Sequence, residues 1–395
     1  MPTPPIFPGV YVEEIPNSIH AIAGVPTSIT AFIGRAAQGP TDDPVNIFGY
    51  NDFELQFGGL GLAFPMSYAV RDFFTNGGNR AIIVRLNSVS VSDSATIIGQ
   101  RQAKTGLYAL EKTDHFNILC VPPDARDGET PVDVYQAALK YCVERRAMLI
   151  VDAPSSWSSN PETATSDAQV AMATYPLLGP DAGNAALYFP RLVQQDPLNG
   201  NQLGRFAPCG AVAGVMARTD STRGVWKAPA GLDAAIIGTH GLDVPFTDAE
   251  SGVLNPLGIN CLRHLRQNSV VIWGSRTLRG ADLFADEYKY VPVRRTALFI
   301  EESLYRGTNW AVFETNNEAL WKQIRLAVGS FMQGLFGHGA FQGSTPAQAY
   351  FIKCDAATTT QNDIDRGILN ILVGFAPLKP AEFVVIKIQQ MTARN

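Results

Sequence analysis

The feature that most limits the fold is an alternation, between residues 28 and 218, of short apolar runs with segments of helical period. Residues 29–33 are an apolar run ending at Gly34, and 81–86, 117–121, 147–151 and 185–189 are runs of similar length. Between them, residues 65–76 place Met66, Ala69, Val70, Phe73 and Phe74 on one helical face and stop at Gly77-Gly78. Thr130-Pro131 opens a helix with the stripe Val134, Ala138, Tyr141 and Cys142. Further helices are expected at 51–57, capped by Asn51 with Glu54 three residues on, near 167–175, and at 208–218. Strands alternating with helices predict an α/β body, a mainly parallel sheet with helices on its faces.

A second block starts near Asn260, with a strand at 270–273 and a helix at 293–306. A long helix is expected at 317–335, capped by Asn316, and strands at 348–353 and 368–375. The long helix carries the stripe Leu320, Trp321, Ile324, Val328, Phe331 and Leu335. Lys322 and Arg325 sit on its other face, either simply solvated or docking an acidic partner. Segments 87–105 and 154–164 read as surface loops, and 219–260 as a long connector.

The two ends read alike. Pro2, Pro4, Pro5, Pro8 and Pro16 exclude a helix, and between the last two lies the short strand Val10, Tyr11, Val12, Glu13, Glu14, Ile15. Sixteen extended residues reach about 50 Å. At the other end Pro377 and Pro380 precede a strand at 383–388 that carries Phe383, Val384, Val385, Ile386 and Ile388, followed by a tail at 389–395. A lone strand is unstable in water, so each must pair with a sheet elsewhere.

Composition adds exclusions. The 395 residues carry a net charge of −5, so no general attraction to nucleic acid or anionic lipid is expected. No apolar run reaches the ~18–20 residues of a membrane span, and the N-terminus lacks the pattern of a secretory signal. Synthesis in the cytoplasm is expected, with release by lysis if the protein acts outside a cell. Five cysteines, none in a C-x-x-C pair, read as reduced buried thiols.

No catalytic, cofactor or metal site is expected. None of the five histidines has a ligand at metal spacing. Gly238-Thr239-His240-Gly241 and Asp152 each resemble a piece of a triad, but no serine elbow completes one, so a turn and a strand-end cap are the simpler reading. Gly58-Gly59-Leu60-Gly61 lacks the strand and spacing of a dinucleotide loop, and no P-loop is present.

A series of segments runs through the chain: Phe7-Pro8-Gly9-Val10-Tyr11-Val12-Glu13-Glu14, Thr30-Ala31-Phe32-Ile33-Gly34, Phe116-Asn117-Ile118-Leu119-Cys120-Val121-Pro122-Pro123, Ala213-Gly214-Val215-Met216-Ala217-Arg218-Thr219-Asp220 and Gly224-Val225-Trp226-Lys227-Ala228-Pro229-Ala230-Gly231. Trp273-Gly274-Ser275-Arg276-Thr277-Leu278, Val293-Arg294-Arg295, Phe299-Ile300-Glu301-Glu302-Ser303, Trp310-Ala311-Val312-Phe313-Glu314 and Gly374-Phe375-Ala376-Pro377-Leu378-Lys379-Pro380-Ala381-Glu382-Phe383 complete the series in order. Together these segments resemble contractile tail sheath proteins of phages and phage-tail-like particles.

The resemblance implies a non-enzymatic subunit with a subtilisin-like α/β body and a C-terminal α+β domain, polymerising as stacked hexameric rings around an inner tube. It implies that the arms complete a small sheet on neighbouring subunits, that contraction uses no fuel, and that baseplate and terminator or cap proteins are partners. It gives Lys322 and Arg325 as candidate tube contacts. The length suggests the compact sheath type of R-type pyocins and extracellular injection systems. Expected parts are an N-terminal arm and linker (1–22), a body (23–260), a C-terminal core domain (261–376) and a C-terminal arm (377–395). The alternatives are a degenerate hydrolase-like protein and a non-contractile shell protein.

Overall fold

The computed structural model describes residues 20–88, 90–265 and 269–383. These form two compact units, one of 25–302 with 377–383 and one of 20–24 with 303–376. The division falls inside the helix Val291–Gly307, whereas the sequence suggested a change near 260. The reason is strand pairing: the segment after 258 is not a new beginning but completes the large sheet.

That sheet has nine strands in the larger unit. They are β1 (Thr30–Gly34), β2 (Val45–Ile47), β3 (Ala81–Arg85), β4 (Ile118–Cys120), β5 (Met148–Asp152), β6 (Ala185–Phe189), β9 (Ala235–Ile236), β11 (Ile259–Leu265) and β12 (Ser269–Ile272). The spatial order is β2-β3-β1-β4-β5-β6-β11-β12-β9. The six strands from β3 to β11 in that order run parallel. Antiparallel β2 closes one side, and β12 and β9 the other. A small sheet in the order β10-β7-β8 is built from β7 (Leu192–Asp196), β8 (Gln202–Phe206) and β10 (Gly241–Leu242).

The central strands are buried on both faces, as a parallel sheet covered by helices requires. Side chains alternate between two cores. Ala31, Ile33, Leu119, Leu149, Val151 and Leu187 join one with the helices Val132–Glu144 and Ala164–Met172. Phe32, Ile118, Cys120, Met148, Ile150 and Tyr188 join the other with Pro65–Thr75 and Cys209–Arg223.

The last two helices touch backbone to backbone. A Cβ at Gly210 would stand 2.0 Å from the Ala69 carbonyl oxygen, and one at Gly214 would stand 2.4 Å from that of Phe73. The helix at 208–218 was therefore legible, but its glycines serve an inter-helix contact.

Two caps differ from expectation. The helix Tyr50–Phe57 starts after Gly49 with no side-chain cap, and Asp52 rather than Asn51 reaches back, accepting the Phe48 N–H at 2.9 Å. The long helix is Glu318–Gly337, capped by Asn317, whose side chain accepts the Leu320 N–H at 3.1 Å. Asn316 instead accepts from Trp321 Nε1 and donates to the Ile368 carbonyl.

In the smaller unit this helix supports a two-stranded antiparallel sheet, β13 (Tyr350–Lys353) with β14 (Leu372–Phe375). Its buried stripe contains every residue expected: Leu320, Trp321, Ile324, Val328, Phe331 and Leu335.

Replacing Gly210 by Ala forces two backbones apart and is expected to destabilise the protein by about 3 kcal/mol or more in chemical denaturation. Gly252 has open space around it. Gly252→Ala, within the helix Asp248–Leu254, is expected to be neutral or stabilising by up to about 1 kcal/mol.

Candidate functional site

In an open parallel sheet, chemistry belongs at the carboxyl ends of the strands, above all where the strand order reverses. Here that point lies between β1 and β4, and it is filled. Arg35, which follows β1, donates from Nε to Asp124 Oδ2 at 2.8 Å, with both side chains buried. Its guanidinium also donates to the carbonyls of Ala63 and Asp124, and Asp124 Oδ2 accepts the Ser92 N–H.

Asp152 ends β5, and its Oδ1 accepts the backbone N–H of Cys209 at 2.9 Å, at the start of the helix Cys209–Arg223. Burial pushes the Asp152 carboxyl up to about 6, while the hydrogen bond from Cys209 holds it lower than burial alone would. The Cys209 thiol is buried, and burial raises it well above its ordinary value. A neutral buried thiol is a poor nucleophile. His240 is exposed beside β7, where its N–H donates to the Val193 carbonyl. Asp152 is thus a strand-end cap. Gly58 carries φ 89° as the left-handed cap of the helix Tyr50–Phe57, a turn and not a phosphate loop. Among the described residues no acidic, His or Cys group has metal-binding geometry, and no helix is long and apolar enough to cross a membrane.

Two further buried polar constructions lie where the chain enters and leaves the larger unit. At the entry, Arg295 donates to Asp220 at 2.9 and 2.6 Å, both side chains buried. Thr27 Oγ1 donates to Asp220 Oδ2 and its carbonyl accepts from Arg295, so the incoming segment is tied into the pair.

At the exit, Arg276, only 1% exposed, grips Glu382 in a fork: Nε to Oε1 and Nη2 to Oε2, each at 2.7 Å. Nη1 donates to Asp282 Oδ1 and the Gly280 carbonyl, and Tyr290 Oη donates to Glu382 Oε2. Burial pushes the Glu382 carboxyl up, but the Arg276 hydrogen bonds and charge more than reverse this and leave it lowered. Arg276 is itself pinned through its backbone. Asn260 in β11 accepts the Arg276 N–H, and its amide donates to the carbonyls of Arg276 and of Leu187 in β6.

In the smaller unit, the His20 ring stacks on Trp310 with centroids 4.0 Å apart, and Ile22 lies so close to Gly307 that a Cβ there would stand 2.5 Å from its Cγ2. β13 and β14 pair with each other and with no other described strand. Tyr350 and Ile352 face the helix Glu318–Gly337, through a Tyr350–Gln333 hydrogen bond and the approach of Ile352 to Gly329. Phe351 and Leu372 are half exposed.

Of the residues singled out in the sequence, Lys322 is exposed. Arg325 is engaged, donating to Glu318 Oε1 at 2.6 Å and to the Cys354 carbonyl. Phe383 is 76% exposed, immediately after the clamped Glu382. Val10, Tyr11, Val12, Ile15, Val384, Val385, Ile386 and Ile388 lie outside the described residues. The Arg276–Glu382 and Arg295–Asp220 pairs were not foreseen. All four residues stand in segments that carry the resemblance, but neither the spacing of 106 nor that of 75 residues announces a contact.

Asp152 gives a pH-dependent expectation. Its raised folded-state value means that folding takes up a proton between about pH 4 and pH 6, so its contribution to stability falls as pH rises through that window. Relative to wild type, Asp152→Asn is expected to gain about 3 kcal/mol between pH 4 and pH 7 in denaturant titrations. A difference constant across that range would contradict the assignment.

A family profile described as the phage tail sheath protein central domain matches residues 98–278, and one described as the phage tail sheath C-terminal domain matches 285–391. The tail sheath protein of Enterobacteria phage T4 is 25% identical over 186 residues, covering 47% of this chain and 26% of that protein. That of Vibrio phage KVP40 is 23% identical over 188 residues, covering 47% and 27%. The chain thus aligns with about a quarter of the length of these curated relatives.

Among solved structures, the sheath complex of an extracellular contractile injection system, PVC, in its contracted state superposes with a TM-score of 0.77 at 26% identity, covering 98% of this chain and 99% of that one. The contracted helical sheath of the anti-feeding prophage gives 0.76 at 26%, covering 97% and 99%. A sheath tail protein from Listeria innocua shares the fold at 0.57 and 11% identity, covering 90% of this chain and 96% of that one.

Proposed function

We propose that this chain, which belongs to the phage tail sheath family, polymerises with copies of itself as stacked hexameric rings around an inner tube and contracts to drive that tube through a target envelope. The observation that carries the reading is near end-to-end similarity to two sheaths described in their contracted state, over 97–98% of this chain.

Two features give it a physical basis. A two-stranded sheet is marginal alone, and β13–β14 has outer edges that no other described strand pairs. The segments Val10 to Ile15 and Phe383 to Ile388 have strand composition. The described chain near each is held: His20 stacks on Trp310 in the smaller unit, and Glu382 is gripped by Arg276 in the larger. Strand addition supplies the missing partners through main-chain hydrogen bonds. Contraction then releases energy stored when the extended sheath assembles, a kinetic trap rather than a fuelled step. A baseplate and a terminator or cap fit this role, with assembly in the bacterial cytoplasm and release by lysis.

Deletion of residues 1–16 is expected to leave the thermal unfolding of the monomer within a few degrees of wild type and to abolish polymers in negative-stain micrographs. Persisting cylinders would remove the N-terminal arm from the mechanism. For the tube, Lys322 is the exposed cation, while Arg325 also holds its own unit together. Lys322→Glu is expected to weaken co-sedimentation with the tube protein several-fold at low salt. Unchanged co-sedimentation of Lys322→Glu and of the double reversal with Arg325→Glu would end that assignment.

A further inference from the structure

The geometry points to Arg276 as the residue that sets where the donated C-terminal arm begins, and that passes the pull on the arm into the main sheet. The inference rests on the sheath reading above. Among the described residues, Glu382 is the last one held by the larger unit, and on this inference the donated strand starts at Phe383.

Three observations support it. First, the grip has the geometry of a fastener. Both Glu382 oxygens meet the Arg276 fork at 2.7 Å, a paired charge-assisted contact that fixes the carboxylate in direction as well as distance. Tyr290 adds a third bond to the same carboxylate.

Second, the fastener is built into the rigid part of the molecule. Arg276 is among the largest fully buried side chains, and its remaining guanidinium nitrogen is held by Asp282 and the Gly280 carbonyl. Its backbone is locked by Asn260 to β11 and, through the Leu187 carbonyl, to β6. A pull on Glu382 therefore runs through Arg276 and Asn260 into two adjacent parallel strands of the sheet.

Third, Glu382 is a single inward-facing point in an otherwise exposed stretch. Its side chain is 15% exposed, whereas Ala381 before it is exposed and Phe383 after it is 76% exposed. In a strand, moving the starting point by one residue turns every side chain to the opposite face. A donated strand starting at Phe383 sends Val384, Ile386 and Ile388 to one face, all apolar, and Phe383, Val385 and Lys387 to the other. A fixed start is what keeps that apolar row in phase with the sheet that receives it.

The test uses the full chain, with limited proteolysis of the monomer by a broad-specificity protease and electron microscopy of polymers. Glu382→Ala is expected to raise the rate of cleavage within residues 377–383 at least tenfold, to leave cleavage elsewhere in the larger unit unchanged, and to abolish or shorten cylinders. Tyr290→Phe removes one bond and leaves the Arg276 charge paired, so it decides the matter if Glu382→Ala fails to fold. It is expected to raise cleavage within 377–383 by a smaller factor. A third variant keeps the clamp and shifts the strand: one Gly inserted between Glu382 and Phe383 should leave the monomer and its cleavage within 377–382 unchanged while cylinders are lost. A merely stabilising pair would not respond to that insertion. Wild-type cleavage within 377–383 in the substituted proteins, or normal cylinders from the insertion variant, would overturn the inference. Failure of the wild-type chain itself to polymerise would count against the sheath reading instead.

Discussion

Strand edges must be paired, and the architecture follows from how each unit meets that requirement. A backbone N–H or C=O left without a partner is costly when buried and adhesive when exposed. In the larger unit the nine-stranded sheet ends in two very short strands, β2 of three residues and β9 of two. Short edges offer little to an incoming chain. The smaller unit makes no such provision: β13 and β14 pair only with each other among the described strands. Among the described strands, the larger unit closes its sheet with short edges, and the smaller unit leaves the outer edges of β13 and β14 unpaired.

Some of the buried charges mark the ends of the larger unit. The larger unit places an Arg–carboxylate pair at its entry, Arg295 with Asp220, and another at its exit, Arg276 with Glu382. A third, Arg35 with Asp124, fills the crevice where related sheet topologies bind ligands. Removing one partner of such a pair strands a buried charge, at a cost of about 3–5 kcal/mol. These pairs therefore hold fixed points. The strand-end cluster of Asp152 and Cys209 has likewise become a closed cap. On the proposed function, a subunit that works by repacking needs rigid bodies and fixed attachment points, and these polar groups serve both.

Most of the body was legible because period is a local signal. The stripe Val134, Ala138, Tyr141 and Cys142 lies buried as expected, and so does the stripe of the helix Glu318–Gly337. The apolar runs became the parallel strands because both of their faces are covered. The polar strands were missed: β7 reads Leu-Val-Gln-Gln-Asp and β8 reads Gln-Leu-Gly-Arg-Phe, without the β-branched, alternating pattern that marks a strand. The division near 260 was misplaced because a strand that returns to an earlier sheet looks the same as one that opens a new domain. Long-range pairs escaped altogether. Nothing local to Arg276 or Glu382 distinguishes a clamp from a solvated charge, and the two meet only once β6, β11 and the chain end are brought together.

The central claim is that the two ends of each chain complete sheets on other copies of it. High-resolution electron cryomicroscopy of the assembled polymer, with the chain traced continuously from Glu382 onward and back from His20, tests this most directly. The account predicts that residues 10–15 and 383–388 run as strands along the β13–β14 sheets of neighbouring subunits. A trace in which both segments fold back onto their own chain, with subunits joined only through the faces of their bodies, would contradict it.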